Sequence, residues 1–183
     1  MSRKNLSVIS LVLLMFVITI LGGCGNGEEP VPEEPGNTGK EYDVTLYFAN
    51  DEYVETGNEE LDQLIEVEDM SLTAKEGDQY MELLDVALRT VPENIDSATT
   101  LIDDTIQFNS VDIEGSLAIV DIKGGNLSGG SMTEAYVISQ IVESLTESFD
   151  EIEEVQFLID GAEAESLMGH YDLTEPYSEG IYN

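Results

Sequence analysis

Val44, Leu46 and Phe48 alternate with Thr45 and Tyr47, and this period of two predicts a strand with one buried face. The polar stretch from Asn50 to Leu64, which includes Gly57, reads as a loop, and Glu66 to Thr73 as a second short strand. Tyr80, Leu83, Leu84, Ala87 and Leu88 then recur at helical spacing. Thr73 and Glu76 ahead of them have the spacing of a capping box. Val91-Pro92 should end that helix, because the residue before a proline disfavours the helical region.

The middle of the chain predicts a hairpin and a second helix. Ile106 and Phe108 share one parity, whereas Val111 and Ile113 share the other. A bulge near Asn109-Ser110 reconciles them within one strand. Glu114-Gly115 predicts a tight turn into a return strand over Leu117 to Ile122. After the glycine-rich loop 124–130, Ser131 and Glu134 form a second capping-box pattern. Ala135, Ile138, Ile141, Val142, Leu145 and Phe149 trace a helical stripe. Val155 to Ile159 reads as a central strand, turned by Asp160-Gly161. The order β(β)-α-β-β-α-β predicts an α+β fold, a small mixed β-sheet with two helices packed on one face. Its core should comprise Leu46, Phe48, Leu84, Leu88, Phe108, Ile119, Ile138, Val142, Leu145, Phe157 and Ile159.

The first residues carry an address. Arg3 and Lys4 precede an apolar run from Leu6 to Leu21, too short to span a bilayer as a helix. Leu21-Gly22-Gly23-Cys24 follows, a signal layout that resembles the bacterial lipobox. That resemblance implies cleavage after residue 23 and a diacylglycerol thioether on Cys24, the only cysteine of the chain. The expected organisation is a lipoprotein signal peptide over 1–23 and a lipidated Cys24 with an acidic Pro/Gly linker over 24–41. A folded domain over 42–177 and a tail over 178–183 complete it. The membrane is then one partner, through the anchor, and the domain lies on the extracytoplasmic face.

Charge narrows the role. The chain has 39 Asp and Glu against 6 Lys and Arg, a net −33, and phosphate contacts need Lys and Arg, so no nucleic acid is expected as partner. The acids read as a solvated surface; cation binding is the alternative, although no calcium-loop pattern occurs. Gly125 to Ser131 opens a helix but lacks the lysine of a phosphate loop. His170 is the only histidine. With Asp172 it is a candidate for binding or for a structural turn, and Asp160, Ser166 and Ser178 complete no catalytic pattern. No cofactor, metal site or catalytic residue is expected.

Several ordered segments together resemble the GerMN domain of sporulation and germination proteins. They are VTLYFAN at 44–50, ALRTVPEN at 87–94, LAIVDI at 117–122, the helix at 136–145, VQFLIDG at 155–161 and GHYDLTEP at 169–176. The span is roughly Tyr42 to Tyr177, and Arg89-Thr90-Val91-Pro92 departs from the family in having no Gly. The resemblance implies a non-enzymatic envelope module, similar in element order to ring-building motifs. Its partners would be envelope proteins or further copies of itself. It also implies that Gly169, Asp172 and Pro176 fix a closing turn. Binding of a divalent cation or wall component is the second reading, and a wall-modifying enzyme the third.

Overall fold

The alternation at Val44, Leu46 and Phe48 becomes the inward face of β1 (Lys40–Asn50), with all three side chains buried. The structure, a computed structural model, describes residues 39–182. Cys24 and the expected signal and linker segments lie outside that range, apart from the linker's last residues. β1 pairs antiparallel with β2 (Leu64–Ala74), and Val67 and Leu72 of β2 are both buried although their parities differ. An extra residue in β2 opposite the stretch between Val44 and Leu46 resolves this, with Asp69 at φ 56°.

The polar stretch after β1 is not all loop. Helix α1 (Asp51–Thr56) starts there, because the Asn50 side chain accepts hydrogen bonds from the backbone N–H groups of Glu52 and Tyr53. Gly57, at φ 62°, closes it. The first capping box does not form, since Thr73 remains in β2. Helix α2 (Gln79–Asp85) begins later and gives way to a 3₁₀ turn (Ala87–Arg89). Leu83, Leu84 and Leu88 all face the core as their spacing predicts.

β3 (Ala98–Thr99) adds to the end of β1 and completes a sheet of order β2-β1-β3. β4 (Phe108–Glu114) and β5 (Leu117–Ile122) form the expected hairpin, with the bulge at Asn109. Gly115 takes φ 69° and Ser116 does not take a positive φ, the signature of a type II′ turn. β6 (Glu154–Ile159) runs parallel to β5, and β7 (Ala162–Glu163) returns antiparallel through Asp160 and Gly161, both at positive φ. The second sheet therefore has the order β4-β5-β6-β7. The α+β class is the one expected, and the expected elements follow in the expected order, with α1, β3 and β7 added to them. The strands divide between two sheets, because β1 and its partners never hydrogen-bond to the second hairpin.

Helix α3 (Ser131–Ser148) joins the two sheets, and every side chain from Glu134 to Leu145 on it is buried. It serves β1 as a substitute strand. The Thr45 N–H donates to Ser148 Oγ (3.0 Å) and the Tyr47 N–H to Ser144 Oγ (3.0 Å). Gln140 Nε2 donates to the Tyr47 carbonyl (3.1 Å), and the Ser148 hydroxyl to the Thr45 carbonyl (2.9 Å). These bonds satisfy the edge of β1 that β3 is too short to cover. One apolar core runs through α2, α3 and both sheets. Ile119 is corrected out of it: Ala118, Val120 and Ile122 hold the inward parity of β5, and Ile119 is only half-buried. Phe108 and Ile159 pack at the core margin.

Candidate functional site

Two features outside the core carry chemistry: a buried carboxylate that fastens the C-terminal segment, and a groove along an unpaired strand edge. The first involves both sequence candidates. Glu134, on the first turn of α3, is fully buried, yet it does not complete a capping box. Its Oε1 accepts from the backbone N–H groups of Leu167 (2.9 Å) and Met168 (2.8 Å). Its Oε2 accepts from the His170 N–H (2.8 Å) and meets His170 Nδ1 at 2.9 Å. A buried carboxylate costs desolvation, and several donors together with a helix N-terminus offset it.

Asp172 does not join His170. Its Oδ1 accepts from the Thr174 N–H (2.9 Å) and hydroxyl (2.6 Å), a local turn, and these bonds hold its carboxyl below the usual carboxylate range. Asp160 turns instead to the Gly124 N–H (3.1 Å). The imidazole's carboxylate partner is therefore Glu134, a residue that the capping-box pattern had claimed.

The remainder of the C-terminal segment also straps α3. Val155 and Tyr177 exchange backbone bonds (2.8 and 2.9 Å), which extends the β7 side of β6. The Gly180 N–H donates to Glu143 (2.5 Å) and the Tyr182 N–H to Ser139 Oγ (2.8 Å). Gly180 lies so close to α3 that a Cβ there would meet the Ser139 Cα at 2.8 Å. Residues 178–182, expected as a tail, are thus packed. Burial raises the Glu143 carboxyl above its ordinary value, the Gly180 N–H opposes this, and Glu147 and Glu179 add to it.

The second feature is a groove of about 530 Å³ between α2 and β4. Tyr80 forms one wall, with its hydroxyl donating to Glu151 Oε1 (2.7 Å) and its ring edge-on to Phe149 at 4.8 Å. Burial and that bond raise the Tyr80 phenol. Tyr42 lies beside it, with Lys40 Nζ 4.6 Å from the ring centroid. The opposite wall is Val111, Asp112 and Ile113 of β4, an outer strand of its sheet. Glu76 and Glu151 add carboxylates. This groove was not anticipated from sequence, since its walls come from elements far apart in the chain.

A second concavity, of about 470 Å³, holds Tyr47, Asp62, Glu66 and Glu143. Burial and the Glu66 carboxylate raise the Tyr47 phenol. Among the described residues, no three His, Cys, Asp or Glu side chains gather as metal ligands. No described helix is long and apolar enough to cross a membrane.

Comparison with known proteins agrees with this architecture. Residues 45–165 match the family described as Germane, sporulation and spore germination. The tandem GerMN domains of the sporulation protein GerM from Bacillus subtilis superpose with a TM-score of 0.56 at 16% identity, covering 78% of this chain and 46% of that one. The first GerMN domain of the same protein gives a TM-score of 0.53 at 16% identity, covering 77% of this chain and 97% of that one. No curated protein matches the chain.

Proposed function

Because the chain belongs to the Germane family of sporulation and spore germination, we propose that it is a lipid-anchored module that binds other envelope proteins, or further copies of itself, at the outer face of the cell membrane. It carries no chemistry of its own in this reading. The observation that carries the proposal is the β4 groove. A strand edge with no neighbour among the described residues, beside two tyrosines, offers its outward backbone donors and acceptors to a partner.

The anchor rests on Arg3, Lys4, the apolar run and Cys24. Anionic headgroups repel a chain of net −33 over roughly 8–10 Å, which favours a domain that does not lie flat on the bilayer. The acidic surface serves solubility.

The test is crosslinking of the tagged full-length chain in intact cells of its own organism, followed by mass spectrometry of the conjugates. A discrete set of envelope proteins, or a homo-oligomer, is expected. Conjugates with wall glycan alone, and none with protein, would replace this reading with the wall-component one.

A further inference from the structure

The backbone at the groove's β4 wall has a defined register. In a two-residue type II′ hairpin the closing pair, here Glu114 with Leu117, exchanges hydrogen bonds. Alternation then pairs Asp112 with Ile119 in the same way. Val111 and Ile113 fall between these pairs, so their N–H and C=O groups point away from β5, into the groove side of the strand. They have no backbone partner among the described residues. The stretch of β1 that β3 leaves unpaired is treated differently, being closed by Gln140, Ser144 and Ser148. Among the described residues, no side chain does this for β4.

Side chains on β4 alternate to match. Val111 and Ile113 pack toward the core with Val120 and Ala118 opposite them, whereas Asp112 and Glu114 are exposed on the other face. Glu76 and Glu151 are exposed at the groove, and its one cation, Lys40, lies over the Tyr42 ring. We infer that this edge takes up an extended peptide segment of a partner protein, added to the sheet as a strand beside β4, with apolar residues alternating with Lys or Arg. The apolar residues would share the face of Val111 and Ile113, and the basic ones would stand beside Asp112 and Glu114. A second copy of this chain fits the edge poorly, because pairing two β4 strands sets carboxylates against carboxylates.

This inference rests on the interaction reading above and narrows it to one surface and one partner chemistry. The test uses the full-length chain in neutral detergent and fluorescent seven-residue peptides, blocked at both ends. One peptide alternates Lys and Val, a second alternates Glu and Val, and a third is the Lys-Val sequence with one edge-facing amide N-methylated. Saturable binding of the Lys-Val peptide is expected, weakening with salt. The Glu-Val and N-methylated peptides should each bind at least ~10-fold more weakly, the first through charge and the second through a lost backbone bond. Asp112→Lys, at an exposed position, should shift preference toward the Glu-Val peptide. Val111→Pro should weaken Lys-Val binding more than Val111→Ala, which shortens the same core-facing side chain but keeps the edge N–H. Equal binding of the N-methylated peptide would overturn strand addition and leave charge attraction only. Equal binding of the Glu-Val peptide would overturn the basic partner. Absence of binding by all three would overturn the inference entirely, and crosslinks to envelope proteins in cells would then keep the interaction reading, at another surface.

Discussion

Replacing Glu134 by alanine removes the acceptor for three backbone N–H groups and one imidazole nitrogen. Hydrogen bonds to a charged group contribute about 1.5–3 kcal/mol each. The three backbone bonds cannot simply be added, because the strap can peel from α3 and let water satisfy the abandoned N–H groups. Peeling exposes Leu167 and Leu173, both buried, and each costs about 1.5–3 kcal/mol to leave in water. The expected loss is therefore ~3–5 kcal/mol, the range for breaking a buried charged network. For a domain of this size that is a fall in melting temperature on the order of 10 °C. His170→Ala is the control: it removes only the imidazole contact, whose side chain is 38% exposed, and should cost about 1 kcal/mol or less. The assay is urea denaturation of both variants, with amide hydrogen exchange at Leu167 and Met168. Those two amides should lose protection in Glu134→Ala and keep it in His170→Ala. A cost below ~1 kcal/mol for Glu134→Ala, or protection retained at Leu167, would refute the assignment of Glu134 as the fastener of the strap.

Cys24→Ser should abolish incorporation of labelled palmitate and leave unprocessed or released chain; equal labelling of the two forms would remove the lipid anchor. Glu143→Gln keeps an oxygen for the Gly180 N–H and removes a carboxyl that burial raises above its ordinary value. A raised carboxyl destabilises the folded state once ionised, so the variant should melt higher than the parent at pH 7. That gain should vanish as the pH falls through the raised value toward the ordinary carboxyl range, where both states hold the proton; thermal melts across pH 4–8 decide it, and a gain that persists at pH 4 contradicts the cause. Sodium chloride should raise the melting temperature by screening repulsion, and calcium at matched ionic strength should do no more; a calcium-specific gain would mark a cation site.

Much of the fold was legible because it is written in local periodicity. The inward parity of β1, the bulge that reconciles Phe108 with Val111, and the stripe of α3 each depend on neighbours in sequence. The division into two sheets was not legible, since which strand lies beside which is a tertiary outcome. Ile119 was misplaced because LAIVDI is apolar at both parities at that point, and only the packing of Ala118 and Val120 chooses between them. α1 had a readable signal in Asn50, two acids and Gly57, hidden by the absence of buried residues on so short a helix. His170 stood out in the sequence as the only histidine of the chain. Its partner did not, because Glu134 lies 36 residues away in a pattern that describes a helix cap equally well. The groove is a matter of long-range assembly, with Tyr42, Tyr80 and Asp112 drawn from three elements.

The hydroxyls and amide that close the edge of β1 lie 93 to 103 residues further along the chain. As the polypeptide emerges, the β1–β2 pair therefore waits with the outward N–H and C=O groups of Thr45 and Tyr47 unmet until the helix has been made and delivered. Loop closure over that distance is entropically costly and slows folding relative to a chain with local contacts. No amino-terminal half can mature alone, and a chain interrupted between Thr99 and Phe108 should yield two fragments that acquire structure only on recombination.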